Sequence, residues 1–82
     1  MNEPELEAAL AGIVIKNSRV QVKSVAREQC LAADLGFDSL AFLLTIGDLE
    51  ERFGIAFPLE RIEELSDITF GELVGLVRRE LV

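Results

Sequence analysis

The chain has 82 residues, half of them apolar and 28% charged, which fits one folded soluble domain over 1–82 and leaves no room for a dinucleotide-binding unit or a barrel enzyme. The net charge is −7, and nine acids lie between Asp34 and Asp67 against Arg52 and Arg61, a pattern that argues against nucleic acid as a partner and either steers basic proteins to the middle of the chain or only keeps the surface soluble. Histidine is absent and Cys30 is the only cysteine, so zinc sites, disulfide frameworks and histidine-activated nucleophiles are excluded.

Leu6, Ala9, Leu10, Ile13 and Val14 recur at helical spacing, which predicts an amphipathic helix over 3–16 with Asn2 as its cap and Glu5 at the third helical position. The acidic start MNEPELEAAL is unlike a secretion signal. The apolar stretch Leu40 to Gly47 is too short to span a bilayer. A cytoplasmic, unprocessed chain that stays off the membrane is therefore expected.

From Asn17 to Asp38 the helical pattern breaks, and VQV at 20–22 alternates like a strand with no second strand to pair it. A structureless loop of about 20 residues is unusual in a compact domain. Either a turn of helix forms near 24–30, or the loop packs over the core through Val20, Val25 and Leu31. Cys30, in VAREQCLAADL, reads as a small buried hydrophobe rather than a reactive thiol.

A second helix is predicted from Asp38 or Ser39 to Phe53, capped by Asp38, stapled by Phe37 and Phe42, and stopped by Gly54. A connector with Pro58 then leads to a short helical turn near 60–65. The last helix opens on Thr69-x-x-Glu72 with Ile68 and Leu73 at staple positions, and should bury Phe70, Leu73, Val74, Val77 and Leu81. Gly71 and Gly75 read as close helix packing, and Gly47 either as tight packing or as a gap that admits a close partner. The expected fold is all-α: a small bundle of three main helices plus one short helix, with a long loop between the first and second main helices.

The second main helix has one apolar stripe too many. Phe42, Ile46, Leu49 and Phe53 suffice for a core face, and Leu40, Leu43 and Leu44 form another. The second stripe is either the edge of a wide buried face or a partner-binding patch beside Ser39. A serine at a helix start usually only helps to cap it. A phosphate ester there would nevertheless be favoured by the free N–H groups and the positive helix end. The carboxylate of Asp38 would oppose it unless a cation intervened. With no histidine in the chain, a modifying enzyme would have to supply the base or the metal.

The segment Asp34-Leu35-Gly36-Phe37-Asp38-Ser39-Leu40 resembles the D-L-G-x-D-S-L signature of acyl carrier proteins. Leu49-Glu50-Glu51-Arg52-Phe53-Gly54 is similar to that family's second-helix ending, and Pro58 and the acidic 60–65 stretch fall where the family has a proline and a short helix. The resemblance covers residues 30–81 closely and 3–16 by pattern. It implies a non-catalytic carrier with 4′-phosphopantetheine, derived from coenzyme A, joined to Ser39 through a phosphodiester. The arm's thiol would then hold an acyl group as a thioester. It further implies a monomer whose partners are a magnesium-dependent phosphopantetheinyl transferase, an acyl- or aminoacyl-loading ligase, and condensing or tailoring enzymes. Docking would use the second main helix, through Asp38, Leu40, Leu43, Leu44, Asp48, Glu50 and Glu51.

Primary fatty-acid carriers bear acids soon after D-S-L, whereas Ala41 to Gly47 carry no charge before Asp48. That departure points to a stand-alone carrier of polyketide or nonribosomal-peptide assembly. Gly36-Phe37-Asp38-Ser39 lacks the second glycine of the peptidyl-carrier G-G-x-S pattern, which favours acyl over aminoacyl cargo. An aminoacyl or peptidyl carrier is the alternative within the class, and an unmodified helical interaction module the alternative outside it.

Overall fold

Asn2 begins the chain's first helix as expected: its side chain accepts the Glu5 N–H at 2.9 Å, and α1 runs over Glu3–Asn17. The computed structural model describes residues 2–57 and 59–81, the backbone alone for 59–61. Pro58, the expected break in the connector, lies outside the described residues. After α1 come a short helix α2 (Leu31–Leu35), α3 (Ser39–Phe53), a 3-10 segment (Leu59–Leu65) and α4 (Phe70–Leu81). No described helix is long and apolar enough to cross a membrane.

The apolar stripes meet in one core. Leu6, Leu10 and Val14 of α1 join Ala41, Phe42, Ile46 and Leu49 of α3 and Phe70, Leu73, Val74 and Val77 of α4. Leu31, Leu35 and Phe37 close it from the loop side, and Phe57, Leu65 and Ile68 from the connector side. Leu81, expected inside, is exposed. Arg78 already pairs with Glu3, the first residue of α1; Leu81 lies nearly a turn further along α4 and overhangs the bundle.

The long first connection contains its helical turn at Leu31–Leu35, not near 24–30. Residues 27–28 form a turn instead. Cys30 caps α2 without a side-chain hydrogen bond, and Asp34 reaches back to accept the Cys30 N–H at 2.7 Å. Leu31 is the anchor, Val22 and Val25 pack partly on the core, and Val20 is exposed. The VQV stretch forms no strand; the described β-type pairing is an isolated bridge between Cys30 and Thr69. Cys30 itself is half-buried rather than buried.

That bridge belongs to a seam that completes the start of α4. A helix leaves its first four N–H groups without partners of its own. Here Phe70 donates to the Gln29 carbonyl at 2.9 Å and Gly71 to the Arg27 carbonyl at 2.8 Å. Glu72 donates to Thr69 Oγ1 at 3.2 Å and Leu73 to the Thr69 carbonyl at 3.0 Å. The Glu72 carboxylate returns to the Thr69 N–H at 2.9 Å, completing the expected capping box. Gly71 is needed for this close approach, because a Cβ there would stand 3.1 Å from the Arg27 carbonyl oxygen. The close contact is with the loop, not with a helix. Gly75 and Gly47, also expected in tight packing, would have nothing within 4 Å of an added Cβ.

The C-terminus of α1 is clamped to α3 by polar groups. Asn17 Nδ2 donates to the buried Thr45 Oγ1 and to Asp48 Oδ2, both at 3.1 Å, and Lys16 Nζ lies 3.3 Å from the same Asp48 oxygen. The Asn17 amide, followed by Lys16, holds the Asp48 carboxyl below its ordinary range.

A carboxyl with a depressed folded pKa contributes stability that is present above its unfolded value of about 3.9 and is lost as pH falls through the folded value. The Tm advantage of the wild type over Asp48→Asn should therefore hold at neutral pH and disappear in strong acid, as thermal unfolding against pH will show. Gly36, at φ 70°, ends α2 in the left-handed region, and its position would put a Cβ 3.1 Å from Arg19 Cβ. Gly36→Ala should cost about 1–2 kcal/mol from backbone strain alone. Gly54→Ala, at φ 66° with nothing within 4 Å, should cost less than Gly36→Ala; urea unfolding of the two variants makes the comparison.

Candidate functional site

The residues of the D-L-G-F-D-S-L segment hold one turn between two helices. Leu35 is fully buried, and its carbonyl accepts the Arg19 N–H and the Ser18 hydroxyl, both at 3.1 Å. Gly36 turns the chain in the left-handed conformation, and the Phe37 N–H returns to the Leu31 carbonyl at 3.0 Å. Phe37 is buried against Phe42, edge to face with ring centroids 5.1 Å apart, which is the expected staple. Asp38 then caps α3: its Oδ1 accepts the Ala41 N–H at 2.8 Å and its carbonyl accepts the Phe42 N–H at 3.0 Å.

Ser39 is thereby placed as the first residue of α3, exposed, its hydroxyl without a hydrogen-bond partner among the described residues. The N–H groups of Ser39 and Leu40 likewise have no acceptor among the described residues, unlike the saturated start of α4. Helix N-termini with free N–H groups favour phosphate oxygens. Ser39 borders an open groove of about 780 Å³, which Ala32, Phe37, Phe42, Leu43 and Ile62 make largely apolar and to which Asp38, Glu63 and Ser66 contribute polar groups. A second groove, of about 710 Å³, lies among Asp67, Glu72, Arg78 and Arg79 and has no part of the Ser39 motif in its walls.

Sequence reasoning left Asp38 without a neutralising cation, and the fold supplies one. Arg19 Nη2 lies 3.3 Å from Asp38 Oδ1. The Ala41 N–H first, and Arg19 after it, hold the Asp38 carboxyl below its ordinary range. Nothing local in the sequence marks Arg19, because the pairing spans nineteen residues and depends on the loop's path.

The extra stripe on α3 is exposed. Leu40, Leu43 and Leu44 are 56%, 43% and 48% accessible, so the stripe is not the edge of a wide buried face. At 100° per residue, Gly47 and Glu51 fall on the same side, and both are exposed. The other two acids proposed for docking are engaged internally. Asp48 faces α1 through Asn17 and Lys16, and Glu50 accepts the Phe57 N–H at 2.9 Å, tying down the connector.

Comparison with known proteins identifies the family. The family model described as "Phosphopantetheine attachment site" matches residues 8–78. The chain is 32% identical over 80 residues to the acyl carrier protein MbtL of a Mycobacterium species, covering 98% of this chain and 88% of that one. It is 33% identical over 78 residues to MbtL of Mycolicibacterium paratuberculosis, covering 95% and 85%. It is 29% identical over 73 residues to an acyl carrier protein of an Arthrobacter species, covering 89% and 88%. A phosphopantetheine-attachment match over most of the chain, joined to relatives of nearly equal length, means that the chain belongs to the acyl carrier protein family.

Proposed function

We propose that Ser39 is the residue that carries the 4′-phosphopantetheine arm, and that the chain presents an acyl thioester to successive enzymes without catalysing their reactions. The observation that carries this reading is the placement of Ser39: exposed at the start of α3, its hydroxyl unpartnered among the described residues, beside two free N–H groups and an apolar groove. In the attachment step the Ser39 Oγ forms a bond to the phosphorus that bears the pantetheine half of coenzyme A. The pyrophosphate P–O bond breaks, and its electron pair leaves with adenosine 3′,5′-bisphosphate. The hydroxyl proton passes to a base of the transferase, since the chain has no histidine to take it. Once loaded, the tether replaces free diffusion by a high effective concentration at each partner.

The exposed Leu40, Leu43 and Leu44 supply the docking face, with Asp38 beside the attachment point and Glu51 at the far end of the stripe. Because no charge interrupts Ala41 to Gly47, we read the chain as a carrier of specialised rather than housekeeping biosynthesis. Acyl rather than aminoacyl cargo fits both the Gly36-Phe37-Asp38-Ser39 pattern and the names of its relatives. In this reading the partners are a loading ligase and condensing or tailoring enzymes, and the chain works as a cytoplasmic monomer where coenzyme A is available.

Incubation with coenzyme A, magnesium and a broad-specificity phosphopantetheinyl transferase should add the mass of one phosphopantetheine, mapped to the Ser39 peptide and absent from Ser39→Ala. A folded wild type that gains nothing counts against the assignment. Leu43→Glu, an exposed change that should leave the unfolding free energy within about 0.5 kcal/mol of wild type, is expected to raise the KM of the docking enzyme several-fold with little change in kcat. Steady-state kinetics with the transferase, at low and high salt, tests this. The apolar contact itself should depend weakly on salt, leaving the rate of encounter as the salt-sensitive part.

A further inference from the structure

Resting on the assignment of Ser39, we propose that Arg19 is the charge-balancing residue of the modification site. It holds Asp38 in the unmodified chain and shares its guanidinium with the phosphodiester once the arm is attached.

The need for such a residue follows from the surroundings of Ser39. The charged residues described in the groove wall are Asp38 and Glu63, both acids. A phosphodiester on Ser39 brings another negative charge next to Asp38. The helix end offsets part of this repulsion, but partial charges do not cancel a neighbouring carboxylate. Among the described ion pairs, Lys16–Asp48, Arg27–Glu7 and Arg78–Glu3 stand away from the serine, and Arg19–Asp38 borders it.

The chemistry of the guanidinium suits a shared role. Asp38 Oδ1 already accepts the Ala41 N–H and receives only one Arg19 nitrogen, at 3.3 Å. Nη1 and Nε of Arg19 have no acceptor among the described residues, so a planar donor fork is available to a second anion. The backbone beneath it is fixed. The Arg19 N–H donates to the Leu35 carbonyl at 3.1 Å, and the Arg19 Cβ lies so close to Gly36 that a Cβ there would be 3.1 Å away. The side chain above is 45% exposed. A surface pair of this kind is weak, so sharing it with a phosphodiester meets little resistance. New anions placed beside an arginine at a helix start gain charge-assisted hydrogen bonds in the same way.

The test is a comparison of unmodified and phosphopantetheinylated protein. Wild type is modified first and the arm mapped to Ser39; a chain left unmodified there defeats the carrier assignment before Arg19 is at issue. Wild type, Arg19→Ala, Arg19→Gln and Arg19→Lys are then unfolded in urea in both forms. Loss of the guanidinium in Arg19→Ala should lower the folding equilibrium constant about two- to five-fold more in the modified than in the unmodified protein. Arg19→Lys should recover most of that difference, and about 1 M salt should shrink it. Arg19→Gln, which keeps the stem and the polarity, serves as the neutral variant should Arg19→Ala fold poorly. An equal cost of Arg19 loss in the two forms overturns the proposal.

Discussion

The carbonyl of Leu35 and the left-handed turn that follows it hold the site together. Leu35 is buried on the core side, while its carbonyl gathers the Arg19 N–H and the Ser18 hydroxyl from the long loop. Gly36 then reverses the chain at a φ that a β-carbon would strain, in space that Arg19 already fills. Only after that turn can Phe37 reach Phe42 and Asp38 reach the Ala41 N–H, which together set where α3 begins. The position of Ser39 is thus a consequence of packing and capping at the residues that precede it. A change that loosens the turn would displace the serine, its capping acid and the nearby arginine together.

The two helix starts on either side of the 3-10 segment show how one fold treats the same problem in opposite ways. At α4 every first-turn N–H has a partner, drawn from Thr69 and from the loop carbonyls of Gln29 and Arg27. At α3 the cap satisfies Ala41 and Phe42 and leaves Ser39 and Leu40 with no acceptor among the described residues. The saturated end serves the fold, because it ties the long loop to the bundle. The unsaturated end is solvated at little cost and remains able to receive an anion.

Much of this was legible in the sequence because helices announce themselves locally. The stripe of α1, the Asp38 cap, the Phe37–Phe42 staple, the Gly54 stop and the Thr69–Glu72 box all rest on steps of five positions or fewer along the chain. The short α2 escaped that logic: Cys30 offers no side-chain cap, and Asp34 does the work from four residues inside. Gly47 looked like a packing residue because a mid-helix glycine usually has a reason, yet it faces open space on the exposed side. Leu81 fits the periodicity of the core face yet is exposed, nearly a turn beyond the Arg78 that pairs with the first residue of α1. Arg19, Asn17 and Glu50 take their roles from partners seven to thirty-one residues away, and no spacing rule reaches that far.

The arrangement of charge around α3 separates attraction from recognition. Asp48 is occupied by Asn17 and Lys16 on one flank, and Glu50 by the Phe57 N–H on the other, so both acids contribute to the field of the domain while their hydrogen-bonding capacity is partly spent. Between them the accessible surface is Leu40, Leu43, Leu44, the bare backbone at Gly47 and the exposed Glu51. In the proposed reading, the acidic middle of the chain accelerates encounter with basic partners, a rate effect that salt weakens. The contact that follows buries leucine surface, which contributes roughly 25 cal/mol for each Å² removed from water and is insensitive to moderate salt. A carrier built this way would distinguish its partners chiefly by the shape of an apolar knob that fits over Gly47, because Asp48 and Glu50 are partly engaged within the domain and only Asp38 and Glu51 border the stripe as exposed acids.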